Sequence, residues 1–198
     1  KPSVVAATPQ PADGLLVTRA DRPALYQDMG RPGLASQGVS ESGALDRIAM
    51  REANRCVGNP ANAATIEISF GGFALKADRP VTIAVTGAPC PLTIRTPEGA
   101  IITAGFAKPV ALNAGDELSL GIPREGMLSY LALRGGFEVE SVLGSVACDT
   151  LAKVGPSPII AGDILVPANG TALAVSSDIN PQRVLPRAGD VVTLDIVL

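Results

Sequence analysis

Along most of this chain, apolar and polar residues alternate in short runs, as they do in a strand with one buried face. Thr65-Ile66-Glu67-Ile68-Ser69-Phe70 and Leu128-Ser129-Tyr130-Leu131-Ala132-Leu133 show it best. Each is expected to lie in a sheet with one wet face. The same reading predicts strands over 14–19, 23–28, 64–70, 73–77, 80–86, 91–96, 100–104, 109–113, 116–121, 127–134, 163–167, 171–175 and 191–197. Short strands at this spacing predict a closed or nearly closed barrel, or a sandwich. The period changes clearly once. Over 46–57, Ile48, Ala49, Ala53, Cys56 and Val57 recur at helical spacing, with Arg47, Arg51, Glu52 and Arg55 mostly off that face. Ser42 or a neighbour is expected to cap this helix, and Gly58-Asn59-Pro60 to stop it. A shorter helical turn is expected near 138–143. The pattern Ala-Gly-Asp before an apolar pair recurs at 114–118, 161–165 and 188–192. It reads as a repeated turn-to-strand device, since Gly tolerates positive φ and Asp favours turns.

Composition narrows the function classes. Hydrophobic residues make up 46% and charged residues 18% of 198, enough for a packed core and against global disorder. The 21 Gly and 17 Pro exceed the usual share and fit many tight turns. With no His, the chain holds no Ser-His-Asp triad, no Cys-His dyad and no His-ligated zinc. A net charge of −3, no Trp and no basic run argue against nucleic acid as a partner. Cys56, Cys90 and Cys148 are odd in number and widely spaced, so neither a disulfide framework nor a metal knuckle is indicated. They read as reduced core thiols of a cytoplasmic protein. No apolar run is long enough to span a membrane and no leader pattern opens the chain. Residues 1–13 read as a linker or added segment. The strand pattern at the far end stops without a closing turn, and the chain is expected to be part of a longer protein.

The most unusual segment is 26–46, rich in Gly and Ser, with Asp28 and Arg31, running into the predicted helix. A loop of this kind at a helix N-terminus is a natural anion cradle, and Arg31 adds a bidentate clamp for a carboxylate. Gly38, Ser40, Ser42, Gly43 and Asp46 are the candidate binding positions there. The plain alternative is an irregular loop that uses Gly for turns and Ser for caps, and from residue chemistry alone it stands slightly ahead. Arg134-Gly135-Gly136 at a strand end is a second cluster, open to close backbone approach by a ligand. A β-bulge or strand end with a surface Arg is the plainer reading, and on residue chemistry alone it stands ahead. Gly71-Gly72 and Gly87 read as hairpin turns. Glu67 shares a face with Thr65 and Ser69 and is expected to face solvent, unless that face lines a pocket where it serves as a base. Asp28 and Asp46 are caps or acid–base candidates.

These segments resemble a known family. Gln27-Asp28-x-Gly30-Arg31-x-Gly33, Gly38-Val39-Ser40-x-Ser42-Gly43-Ala44-x-Asp46 and Ala53-Asn54-x-x-Val57-Gly58-Asn59 come first. Ile66-Glu67-Ile68 with Gly71-Gly72, Thr86-Gly87-Ala88, Gly115-Asp116-x-Leu118, Tyr130-Leu131-Ala132-x-Arg134-Gly135-Gly136 and Val142-Leu143-Gly144-Ser145-x-x-x-Asp149-Thr150-Leu151 follow in order. The series is similar to the biotin-dependent carboxyltransferase family, which includes allophanate hydrolase subunit 2, KipA and the C-subunit of 5-oxoprolinase. The resemblance implies a mainly β fold, a cyclophilin-like β-barrel with one prominent helix at about 46–57. It implies a first barrel half over 14–185, with 186–198 starting a crossing into a missing second half.

For function, the resemblance implies a component of an ATP-dependent 5-oxoprolinase complex. The alternatives are carboxyl transfer from carboxybiotin to urea or a similar amide, a KipA-like regulatory module, or a fragment inactive alone. The expected substrate is a small anion or amide. The expected partners are the second half and a subunit-1 protein, similar to KipI or to the B-subunit of 5-oxoprolinase. No biotin-attachment run is present, so the chain is expected to bind no cofactor itself, with ATP or carboxybiotin arriving on partner subunits. Within that frame Arg31 and Arg134 are assigned to charge stabilisation, Asp28 or Glu67 to proton handling, and Ser40 and Ser42 to orientation. Gly38, Gly43, Asp46, Gly135 and Gly136 complete the candidate binding set.

Overall fold

A computed structural model describes residues 14–170, 172–177, 185–187 and 189–193. The expected linker over 1–13 and the tail of the expected strand over 191–197 lie outside the described residues. Strands β1 (Leu15–Ala20), β2 (Ala24–Gln27), β3 (Thr65–Ser69), β4 (Phe73–Ala77), β5 (Val81–Gly87) and β6 (Leu92–Arg95) are followed by β7 (Ile101–Thr103), β8 (Val110–Leu112), β9 (Glu117–Leu120), β10 (Leu128–Leu133) and β11 (Ile164–Leu165). One α-helix, α1 (Arg47–Val57), stands between β2 and β3. The mainly β class and the single helix are as expected. Residues 172–175 and 191–193 form no strand, a correction to the expected elements.

The strands pair as two antiparallel sheets, one in the order β11-β1-β4-β9-β6-β7, the other β2-β3-β10-β5-β8. The ladder does not close into one barrel. Instead the inward faces of both sheets enclose a common core: Leu15, Phe73 and Leu118 from one, Ile66, Ile83 and Leu131 from the other. Each fully buried side chain of this kind contributes about 1.5–3 kcal/mol. The turns at Gly71-Gly72 and Gly87 are not hairpins, because β3 and β4, like β5 and β6, belong to different sheets. Phe70, Gly71 and Gly72 all adopt positive φ, which turns the chain sharply from one sheet to the other.

The second face of the five-stranded sheet is not wet. Helix α1 covers it, packing Ala49, Met50, Ala53, Cys56 and Val57 against Ala84, Tyr130 and Ala132. The polar-looking positions of β10 are therefore buried on both sides, and Ser129 spends its hydroxyl on the Ala88 carbonyl at 2.8 Å. Asp46, not Ser42, caps the helix, its carboxylate accepting the Ala49 N–H at 3.0 Å. Gly58 ends it at φ 75, where a Cβ would meet the Leu173 carbonyl oxygen at 2.3 Å.

The helical turn expected near 138–143 is absent. Leu143 and Gly144 at φ 53 and 78 make a tight turn bridging Val142 and Ser145. Among the described residues the Ala-Gly-Asp turn recurs, with a strand following only the first two copies, β9 and β11. Asp116, Asp163 and Asp190 each accept the backbone N–H three residues upstream, from Asn113, Ile160 and Arg187, at 2.7, 2.9 and 2.7 Å. Among the described residues no helix is long and apolar enough to cross a membrane.

Candidate functional site

The motif segments meet in pairs. Three side chains at and just beyond the end of β2 grip one loop. Gln27 donates to the Cys148 carbonyl at 3.1 Å. Asp28 accepts the Ser145 hydroxyl at 2.5 Å on Oδ1 and the Val146 N–H at 3.0 Å on Oδ2. Arg31 donates to the Ala147 carbonyl at 2.5 Å and to the Val142 carbonyl at 3.4 Å. Acceptor and donor side chains thus hold both polarities of one backbone turn, 142–148. A second pair joins the helix end to the strand end. Asn59 accepts the Gly135 N–H at 2.9 Å and donates to the Leu133 carbonyl at 2.7 Å. Where the two pairs converge, a cleft of about 340 Å3 opens. Asp28, Asn59, Asn62, Gly135, Gly136 and Ser145 stand in its walls.

The structure brings Asp28, Gly135 and Gly136 to this cleft and leaves the other expected residues elsewhere. Arg31 is only 2% exposed, and among the described residues no carboxylate pairs with it. Its Nη1 has no hydrogen-bond partner. Arg134 turns to the helix end, donating to the Val57 and Leu173 carbonyls at 2.7 Å each. That geometry suits the helix dipole. Glu67 is half-buried rather than solvent-facing, accepting the Tyr130 hydroxyl at 2.7 Å and the Leu45 N–H at 3.0 Å. Burial, with Glu67 adding to it, pushes the Tyr130 phenol far above its ordinary pKa.

The Gly/Ser stretch does not form an open cradle. Ser40 and Ser42 both donate to Asp149, Ser42 at 3.0 Å. Gly30 and Gly43 let two backbone segments cross. A Cβ on Gly43 would sit 2.7 Å from the Gly30 nitrogen, and one on Gly30 would sit 2.5 Å from the Glu41 carbonyl oxygen. Gly38 merely ends a 3-10 turn at Ala35–Gln37. Asp46 fills the helix N-terminus with its own carboxylate. The anion site expected there is occupied from within.

Asn59, Asn62 and Ser145 were not among the candidate site residues. Asn59 and Ser145 do sit in motifs of the ordered series, and that was their available signal. Asn62, in an unremarkable run of small residues, gave none. A further cleft, of about 350 Å3, is walled by residues 148–150 and 153–158 and contains none of the expected site residues. The thiols are buried and free. Burial, then Glu52, raises Cys56 to about 11, so a thiolate is scarce at neutral pH.

A family model described as carboxyltransferase domain, subdomain A and B, matches residues 37–198. The chain is 42% identical over 141 residues to the C-subunit of 5-oxoprolinase from Escherichia coli, covering 71% of this chain and 43% of that protein. It is 32% identical over 167 residues to the C-subunit of 5-oxoprolinase from Haemophilus influenzae, covering 80% and 50%. It spans about half the length of these curated relatives. The crystal structure of the K. lactis urea amidolyase superposes with a TM-score of 0.75 at 30% identity, over 93% of this chain and 11% of that one.

Proposed function

The chain belongs to the carboxyltransferase-domain family, subdomains A and B, and on that premise we propose that it is one component of a 5-oxoprolinase-type complex. In that reaction the lactam ring of 5-oxo-L-proline is opened, with ATP, to L-glutamate. The reading is carried by the 42% identity to the 5-oxoprolinase C-subunit from Escherichia coli. The cleft supports it, since its carboxamides, hydroxyls and single carboxylate suit a planar amide. The residues of this chain fit a triphosphate poorly. The Ser40 and Ser42 hydroxyls are spent on Asp149 and Arg31 donates to the 142–148 turn, and among the described residues no lysine or arginine side chain lines the cleft. ATP is therefore held by a cytoplasmic partner of the subunit-1 class, and the remaining half of the family pattern completes the site.

A second reading has its own support in the K. lactis urea amidolyase superposition: carboxyl transfer from carboxybiotin, carried by another polypeptide, to urea. Asp28 and Asn62 are the groups of this chain placed to meet a ureido ring. The test is co-purification of the full-length protein with its subunit-1 partner, followed by assay of ATP hydrolysis. Stimulation by 5-oxoproline is the expected result. Carboxybiotin consumption with urea and no response to 5-oxoproline would install the second reading. Tight association without turnover on either substrate would make the chain a regulatory module.

A further inference from the structure

Among the described residues lining the cleft, Asp28 is the one ionisable group. Its carboxylate is fixed by three donors. Oδ1 accepts the Gly30 N–H at 2.8 Å and the Ser145 hydroxyl at 2.5 Å, and Oδ2 accepts the Val146 N–H at 3.0 Å. A carboxylate offers about four acceptor positions. Three are filled, and the fourth, on Oδ2, is left for a ligand in the cleft that Asp28 lines. Neither Arg31 nor Arg134 lines the cleft. Arg31 donates from Nε and Nη2 to the Val142 and Ala147 carbonyls, its Nη1 being without a partner, and Arg134 donates to those of Val57 and Leu173. Asn59 spends both its N–H groups on Asn54 and Leu133 and accepts the Gly135 N–H, so it has no donor left for a ligand.

We infer that Asp28 is the specificity-determining acceptor of this cleft, and that the cleft takes the N–H edge of a neutral amide or urea and disfavours a free carboxylate. A ligand N–H meets a pre-oriented carboxylate and gains a charge-assisted hydrogen bond. A ligand carboxylate meets the same charge with no cation beside it, and repulsion opposes entry. For an acidic lactam, this cleft reads the ring amide, and none of the described lining residues neutralises the acid group. The inference rests on reading the cleft as the amide-handling site of the proposed enzyme.

The test compares 2-pyrrolidinone, a neutral lactam, with 5-oxoproline, the same ring bearing a carboxylate, by calorimetric or NMR titration of the 198-residue chain. Saturable binding of 2-pyrrolidinone is expected, with 5-oxoproline no tighter. Asp28→Asn must keep its oxygen at the Oδ1 position, which takes two donors, so an NH2 replaces Oδ2. It is expected to weaken 2-pyrrolidinone about tenfold, with a thermal melt confirming the fold. Asn62→Lys, at an exposed rim position, keeps the test alive if that variant unfolds. It is expected to shift preference toward 5-oxoproline by about tenfold.

The inference is overturned if wild-type chain binds 5-oxoproline about tenfold more tightly than the neutral lactam. It is also overturned if 2-pyrrolidinone does not saturate, if folded Asp28→Asn binds it unchanged, or if Asn62→Lys leaves the preference where it was. The readout is ligand order, not turnover. Failure of 5-oxoproline-dependent ATP hydrolysis in the complex removes the enzyme assignment and leaves that order intact. A reversed order with normal turnover removes only this inference.

Discussion

Two segments of this molecule are rich in the same small residues and do opposite things. In 26–46 Gly30 and Gly43 bring two backbones into contact, and Ser40, Ser42 and Asp46 spend their polar atoms on neighbouring groups. In 134–146 the glycines line a cleft, and Asp28, reaching in from the first segment, brings an acceptor position to it. Composition does not distinguish these cases. A glycine needed for close packing and a glycine needed for access look identical in sequence. What separates Gly30 and Gly43 from Gly136 and Gly144 is whether a Cβ would strike backbone or open space.

That contrast can be broken directly. Gly43→Ala places a Cβ 2.7 Å from the Gly30 nitrogen and 2.8 Å from the Met29 carbonyl carbon, at φ 90. Neither backbone is free to yield, and a loss of about 3 kcal/mol is expected from left-handed strain plus overpacking. Gly144→Ala, at φ 78 with nothing within 4 Å, faces only the strain, about 1 kcal/mol. Urea unfolding midpoints measure both. Equal losses would erase the distinction between the two segments.

The arginines sharpen it further. Arg31→Ala strips donors from the Val142 and Ala147 carbonyls. About 2 kcal/mol of stability is expected to go, and with it the cleft, because the 142–148 turn loses one side of its grip. Arg134→Ala removes a donor from the helix end and is expected to cost about 1 kcal/mol. Lactam titration beside urea unfolding separates them. Binding falls sharply in the first variant and stays within about twofold in the second. If both lose binding alike, the turn is not what shapes the cleft.

The sheet-forming segments were readable because strand alternation is a local property. Ile66 and Ile68 could hardly face anywhere but a core, and both are fully buried. The helix was readable for the same reason, down to its glycine stop. Which sheet each strand joins was not, since Gly71-Gly72 marks a turn without saying that it crosses between layers. The burial of β10 on both faces depends on α1, about 75 residues earlier in the chain and placed by tertiary packing alone. The site failed similarly. Asp28 and Arg31 were visible as a charged pair in a glycine-rich run. That they clamp opposite polarities of a turn more than 110 residues away was not, because nothing local to 26–46 encodes the partner. Asp28 still reached a cleft. Arg31 did not, since its guanidinium found buried carbonyls first.

The smallest expected effect concerns the tie that closes the filled segment. The Ser40 hydroxyl first, then the Ala152 N–H and the Ser42 hydroxyl, hold the Asp149 carboxylate down to about 2, from an ordinary value of 3.8. Because the folded value lies below the unfolded one, the tie contributes fully above that ordinary value and fades as pH falls through about 2. Asp149→Asn is therefore expected to melt slightly below the wild type at neutral pH. The two melting curves should converge on acidification, with the gap closing between about pH 4 and about pH 2. A parallel acid profile in both proteins would show that Asp149 is solvated and does not hold the 38–43 run to the turn beyond Cys148. The filled segment would then be closed by the Gly30–Gly43 crossing alone, and glycine placement would carry the whole difference between the two regions.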